Sequence, residues 1–352
     1  MSDFQIIQSG LMRLPDGGLR KVLLTLTALL LLFVFWLFRP NDSLPVMADT
    51  PGLPELTFGV DEAQEAVRAR ELEAGPLKPD NHARIVWNSD YRDQRAPCSI
   101  VYIHGFSASY GEGAPLHERL ARDHGCHLYV SRLHGHGLRT DEPLKRMEPD
   151  SLVADAARAL AIGDLLGDEV IVMGTSMGGT LALHLASEFT DVVDRLILLA
   201  PLIEFDTAAS VLFDRTWGQR LMRLVLRGSY LDVTQDNDDH SRYWYGRYHI
   251  RALGALKKMA EDLLEEEEES VFERVRQPVF VGYFYKDDDE KDEVVSVDAI
   301  RGIKDKLGTP SGQKVFVAFP DAGAHVIGSS YRSAEHDQVR QKLLRFLEKD
   351  FD

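Results

Sequence analysis

The run Gly174-Thr175-Ser176-Met177-Gly178-Gly179 carries the most chemistry. It directly follows the apolar stretch Val170-Ile171-Val172-Met173 and directly precedes the helical pattern from Thr180 to His184. A serine held between a strand and a helix sits on a sharp turn, and flanking glycines let the two backbones approach without a Cβ clash. Its hydroxyl is thereby exposed at the sheet's top edge, placed to act as an activated nucleophile. The same turn puts the Met177 amide at a helix N-terminus, where an unsatisfied donor and the helix dipole favour a developing oxyanion. A second donor is expected after an earlier strand. There Ser99 to Ile103 runs into His104-Gly105-Phe106-Ser107, and the glycine lets the chain bend so that the Phe106 amide can face Ser176.

The elements that must position these groups alternate from about His82 onward, short apolar runs with longer amphipathic ones, which predicts an α/β fold with a parallel sheet covered by helices on both faces. Strands are expected over 84–87, 99–103, 127–131, 169–173, 196–199, 279–284 and 314–318. Helices are expected over 113–123, 150–166, 176–189, 297–306 and 334–348. The alternation breaks once, between Pro201 and Pro278, where helical patterns continue without a convincing strand. That stretch reads as an insertion over the sheet.

Composition narrows the function. The 352 residues carry 40 Lys+Arg against 56 Asp+Glu, a net charge of −16. Such a field repels phosphate backbones, so nucleic acid is not an expected partner. Two cysteines, Cys98 and Cys126, exclude a disulfide framework and a Cys-rich zinc module. His134 and His136, with His104, His117, His124 and His127, lack Cys or acidic partners at ligand spacing and read as loop histidines around the site. No metal and no organic cofactor is called for.

The N-terminus departs from the rest. Val22 to Phe38 contains no charge, and at ~1.5 Å per residue it spans ~26 Å, close to the ~30 Å of a hydrocarbon core. Residues 1–39 are therefore expected to be a cytoplasmic segment and a single membrane helix, with Arg13, Arg20 and Lys21 on the inner side and the body outside the cytoplasm, in a bacterial envelope. A cleaved signal peptide ending near Val46-Met47-Ala48 is the rival. Residues 40–81, rich in proline and acids, read as a tether, with a short helical stretch near Asp61 to Ala74. The remainder, 82–352, reads as the catalytic domain.

Together, His104-Gly105-Phe106, the run Arg132-Leu133-His134-Gly135-His136-Gly137 and the serine turn resemble the α/β-hydrolase superfamily, most closely its monoacylglycerol lipase, lysophospholipase and carboxylesterase groups. The resemblance covers about His82 to the C-terminus. It implies a chain order of nucleophile, acid, histidine and a helical cap after the sixth strand, which falls on residues 202–277. It nominates His325, in Pro320-Asp321-Ala322-Gly323-Ala324-His325, as the base. The acid falls in Lys286-Asp287-Asp288-Asp289-Glu290-Lys291-Asp292, where Asp292, two residues before Val294-Val295, is the first choice and Asp287 the second. The family strand order makes the strands after Cys98 and Cys126 parallel neighbours, so that a disulfide is expected between them. His104, Trp217 and Trp244 are expected around the substrate. The expected activity is cleavage of carboxylic esters, acyl esters or monoacylglycerol-like lipids, through a Ser-His-Asp triad; a peptidase or amidase, a thioesterase and a non-catalytic binding protein are the alternatives.

Overall fold

The computed structural model describes residues 16–38, 52–234, 237–265 and 270–351. The residues around Arg13, the possible cleavage site at 46–48 and most of the acidic run 265–269 lie outside the described residues. The strands among the described residues are β1 (Arg84–Val86), β2 (Ala96–Ile103), β3 (His127–Val130), β4 (Gly167–Thr175), β5 (Arg195–Leu199), β6 (Tyr230–Asp232), β7 (Arg247–His249), β8 (Val279–Phe284) and β9 (Lys314–Phe319). The helices are α1 (Asp16–Phe38), α2 (Ala63–Glu73), α3 (Leu116–His124), α4 (Pro149–Leu166), α5 (Met177–Glu188), α6 (Thr216–Val225), α7 (Asp238–Tyr243), α8 (Arg251–Leu264), α9 (Val271–Arg274), α10 (Val297–Lys306) and α11 (His336–Leu347).

Seven strands form one sheet in the order β1-β3-β2-β4-β5-β8-β9. β1 runs antiparallel to β3, and every other pair is parallel. Because successive residues of a strand point to opposite faces, each strand feeds two cores. Ile100, Tyr102, Leu128, Ile171 and Phe280 pack under α3 and α11. Val101, Ile103, Val170, Val172 and Val281 pack under α4, α5, α8 and α10. Continuous apolar strands follow, since both faces are covered. Local signals set the ends of the helices: Pro149 opens α4, Ser296 caps α10 through the Ala299 amide, and left-handed Gly125 closes α3. α11 crosses back over α3, with Arg119 paired to Asp337 and Arg340 to Asp123.

Three expectations need correction. Five strands of the sheet, not six, precede the insertion among the described residues. The insertion is not strandless: β6 and β7 form a two-stranded antiparallel ribbon, Tyr230 opposite His249. Three-residue strands are too short to leave a periodic signature. The described part of the stretch read as a tether is docked on the body. Within it α2 buries Ala63 and Val67, and Glu71 receives Arg132 through both its carboxylate oxygens, at 2.7 and 3.0 Å. Residues 78–81 then grip the cap: Lys78 Nζ donates to the Ser241 and Trp244 carbonyls, and Asn81 Nδ2 to that of Arg242.

Side chains of α1 are described over 21–36 and are all exposed. Among the described residues no helix is long and apolar enough to cross a membrane, so the fold does not show the membrane span expected over 22–38.

Candidate active site

Ser176 stands between β4 and α5 with φ 54° and ψ −118°, a conformation costly for a residue with a Cβ. Two glycines make the turn possible. A methyl group on Gly174 would overlap the Gly178 carbonyl, and one on Gly178 would overlap the Ile103 carbonyl. The second contact seats the start of α5 directly on the end of β2. Met177 begins α5, where the first amides have no acceptor inside the helix.

The loop that follows β2 is tied to the loop that follows β3 by two reciprocal bonds. The Leu133 amide donates to His104 Nε2, and the Ser107 amide donates to His136 Nε2, both at 3.1 Å. Accepting nitrogens require neutral rings, and burial pushes His104 down to about 4 and His136 well below the usual histidine range. Both rings are fully buried. His104 is thus a brace of the loop carrying Phe106, which corrects its expected place against the substrate. Phe106 itself is half-buried, its ring edge-on to Tyr248 of the cap at 5.0 Å.

His325, after β9, places Nδ1 2.6 Å from Asp292 Oδ2. The other carboxylate oxygen accepts the amides of Val294 and Val295, at 2.9 and 3.2 Å. Burial works against ionised Asp292, yet the His325 ring and these two amides hold its carboxyl below the ordinary value. Burial likewise opposes the imidazolium, and Asp292, with a smaller effect of Glu112, raises His325 above the ordinary histidine value. His325 Nε2 is buried without a hydrogen-bond partner.

Asp287 takes no part in this pair. Its Oδ1 accepts the amides of Asp289 and Glu290, Lys286 pairs with Glu290, and Tyr285 bridges to Lys291. Residues 286–291 therefore form a polar turn that closes on itself and returns the chain to the sheet end at Asp292. Beside the His325-Asp292 pair lies an open cavity of about 640 Å³, bordered by Phe284, Pro320, Ala324 and Arg332, with no cap residue in its wall.

Trp244 is buried with Ala108, Tyr243 and Val326, the last adjacent to His325. Trp217 lies on α6, which packs on residues 208–212 and on α1. Cys98 and Cys126 are joined in a disulfide at the start of β2 and before β3, with Cα atoms 4.7 Å apart. With His124 they form the one close group of metal-ligating atoms among the described residues, and the disulfide occupies both thiols. Sequence reasoning passed over Glu112, whose carboxyl is buried beside the loop of Phe106. Its only signal was a carboxylate between two glycines shortly after His-Gly-Phe.

The family model for the alpha/beta hydrolase family matches residues 100–339, and the chain belongs to that family. No curated protein sequence matches it. Among solved structures the chain is similar to one reported for LipS and LipT, two metagenome-derived lipolytic enzymes, at a TM-score of 0.63 and 17% identity over 78% of this chain and 100% of that one. It is similar to the monoacylglycerol lipase of Paleococcus ferrophilus, TM-score 0.55 and 14% identity over 76% and 97%. A soluble variant of monoglyceride lipase from Saccharomyces cerevisiae gives 0.52 and 15% over 88% and 97%. At these identities the likeness is one of fold.

Proposed function

We propose that this protein is a membrane-anchored serine hydrolase that cleaves carboxylic esters, acyl esters or monoacylglycerols, through a triad of Ser176, His325 and Asp292. One observation carries the reading: a serine on a strained strand-to-helix turn, together with a buried histidine whose Nδ1 is held by a carboxylate and whose Nε2 is unsatisfied. A serine hydroxyl is a weak nucleophile at neutral pH, so His325 Nε2 takes its proton as Oγ attacks the ester carbonyl. Asp292 fixes the tautomer and stabilises the imidazolium. The amides of Phe106 and Met177 receive the oxyanion. His325 then protonates the departing alcohol, leaving an acyl-enzyme, and a water deprotonated by the same histidine releases the acid.

The lipolytic and monoacylglycerol-lipase neighbours support an acyl ester as substrate, as does the aromatic cap around Tyr243, Trp244 and Tyr248. The anchor is supported by the uncharged run in α1. A body outside the cytoplasm is supported by the basic residues before the run and by the disulfide, which persists in oxidising compartments.

The test is hydrolysis of a p-nitrophenyl ester series by the full chain in detergent, with Ser176→Ala alongside. Serine-dependent turnover with an optimum of acyl length is expected. Turnover of peptide amides alone, or serine labelling without turnover of any ester, would overturn the ester reading.

A further inference from the structure

A buried carboxyl that the reaction above leaves unused lies behind the Phe106 loop. Glu112 ends a short turn over Tyr110–Glu112 and is 2% exposed. Its Oε2 accepts the Gly105 amide at 2.6 Å and the Tyr102 hydroxyl at 2.9 Å. The Tyr102 oxygen also lies 3.1 Å from Thr175 Oγ1, one residue before the nucleophile. A methyl on Gly105 would stand 2.7 Å from Glu112 Oε1 and 3.2 Å from Ser176 Cβ. The carboxyl, the loop and the nucleophile thus meet at a single glycine.

Burying a carboxyl is expensive unless it is paired, and among the described residues no Lys or Arg forms an ion pair with Glu112. An apolar residue would fill the space at less cost and would leave the Gly105 amide without an acceptor at the point where the chain turns off β2. We propose that Glu112 is a positioning residue of the hydrolytic site. Its carboxyl clamps the Gly105 amide to Tyr102 and so fixes the loop that presents the Phe106 amide above Ser176. This rests on the reading of Ser176 as nucleophile and His325 as base.

The groups that contact Glu112 are Tyr102 from β2 and the Gly105 amide from the loop; Thr175 at the end of β4 lies beyond Tyr102, and the charge of His325 acts on Glu112 from the loop after β9. Burial pushes the Glu112 carboxyl up to about 7 against the pull of the Gly105 amide, Tyr102 and His325. Its charge in turn favours the imidazolium. Removing that charge while keeping the hydrogen-bond acceptor therefore lowers the pH at which His325 loses its proton.

The test is the rate of Ser176 labelling by a fluorophosphonate, measured against pH on the full chain, which needs no knowledge of the natural ester. Glu112→Gln keeps an acceptor for Gly105 and Tyr102. It is expected to label within about 10-fold of the parent at the optimum, with the acid limb displaced to lower pH. Glu112→Ala removes the clamp, and its labelling is expected to fall on the order of 100-fold, the scale of losing one oxyanion donor. Should Glu112→Ala fail to fold, Glu112→Gln carries the test alone through its pH limb. Folded variants with the parent's rate and pH profile would overturn the role of Glu112 while leaving the serine hydrolase reading intact. A parent chain that takes no label at Ser176 would overturn both.

Discussion

Gly178 lies so close to the Ile103 carbonyl that any side chain at 178 would occupy the oxygen's place. The turn around Ser176 therefore depends on a contact with another strand as well as on its own backbone. Gly178→Ala forces β2 and α5 apart. Overpacking of this kind costs about 1–3 kcal/mol, and it moves the Phe106 loop away from Ser176. A lowered melting temperature and at least a 100-fold loss of fluorophosphonate labelling are expected, and unchanged labelling would show that the loop tolerates the displacement.

The choice between the two candidate acids is open to direct test. Asp292 holds His325, whereas Asp287 only stabilises its own turn. Asp292→Asn is expected to lower kcat by about 10³- to 10⁴-fold, because a neutral amide favours the wrong tautomer. Asp287→Asn is expected to keep kcat within a few-fold. The reverse ranking would transfer the acid role to Asp287.

The histidine sets the pH dependence. On the proposed mechanism His325 must be neutral to accept the serine proton, and Asp292 and Glu112 raise its value above the ordinary 6.5. As pH falls through that raised value, kcat/KM should drop tenfold per unit, so the acid limb should bend above pH 6.5. The sign for stability is opposite: the contribution of protonated His325 is full below its ordinary value and is lost as pH rises through the folded one. A limb centred below pH 6 would contradict the geometry of the pair.

The bridge between Cys98 and Cys126 lies at the end of the sheet away from Ser176. Closing a loop with a sequence separation of 28 removes denatured-state entropy worth about 3.6 kcal/mol. Reduction, or Cys98→Ala with Cys126→Ala, is expected to lower the urea midpoint while leaving the labelling rate within twofold. A lost labelling rate in a folded variant would mean that the bridge also shapes the site.

The parallel core was legible because it needs short, continuous apolar runs, with glycine at fixed points around the serine turn. β8 and α10 match their expected limits at both ends, and the serine turn follows from local chemistry alone. What escaped the sequence depends on contacts across the chain. α2 reads as an acidic, helical piece of linker until Arg132 is seen to need Glu71. His104 invites a role at the substrate until Leu133 supplies the amide that occupies its ring. Glu112 looks like a loop acid until Tyr102 and Gly105 close around it. A side chain's burial is set by residues far away in sequence, and no local pattern records it.

The crossing of α11 over α3 bears on the order in which the molecule can be made. Leu116 and Leu120 of α3 share one core with Val339, Leu343 and Phe346 of α11. A chain emerging from the ribosome carries that face of α3 bare until α11 has emerged as well. Completion of the sheet's second side therefore waits for α11, and a product terminated before α11 exposes a sticky surface that marks it for chaperones and proteases.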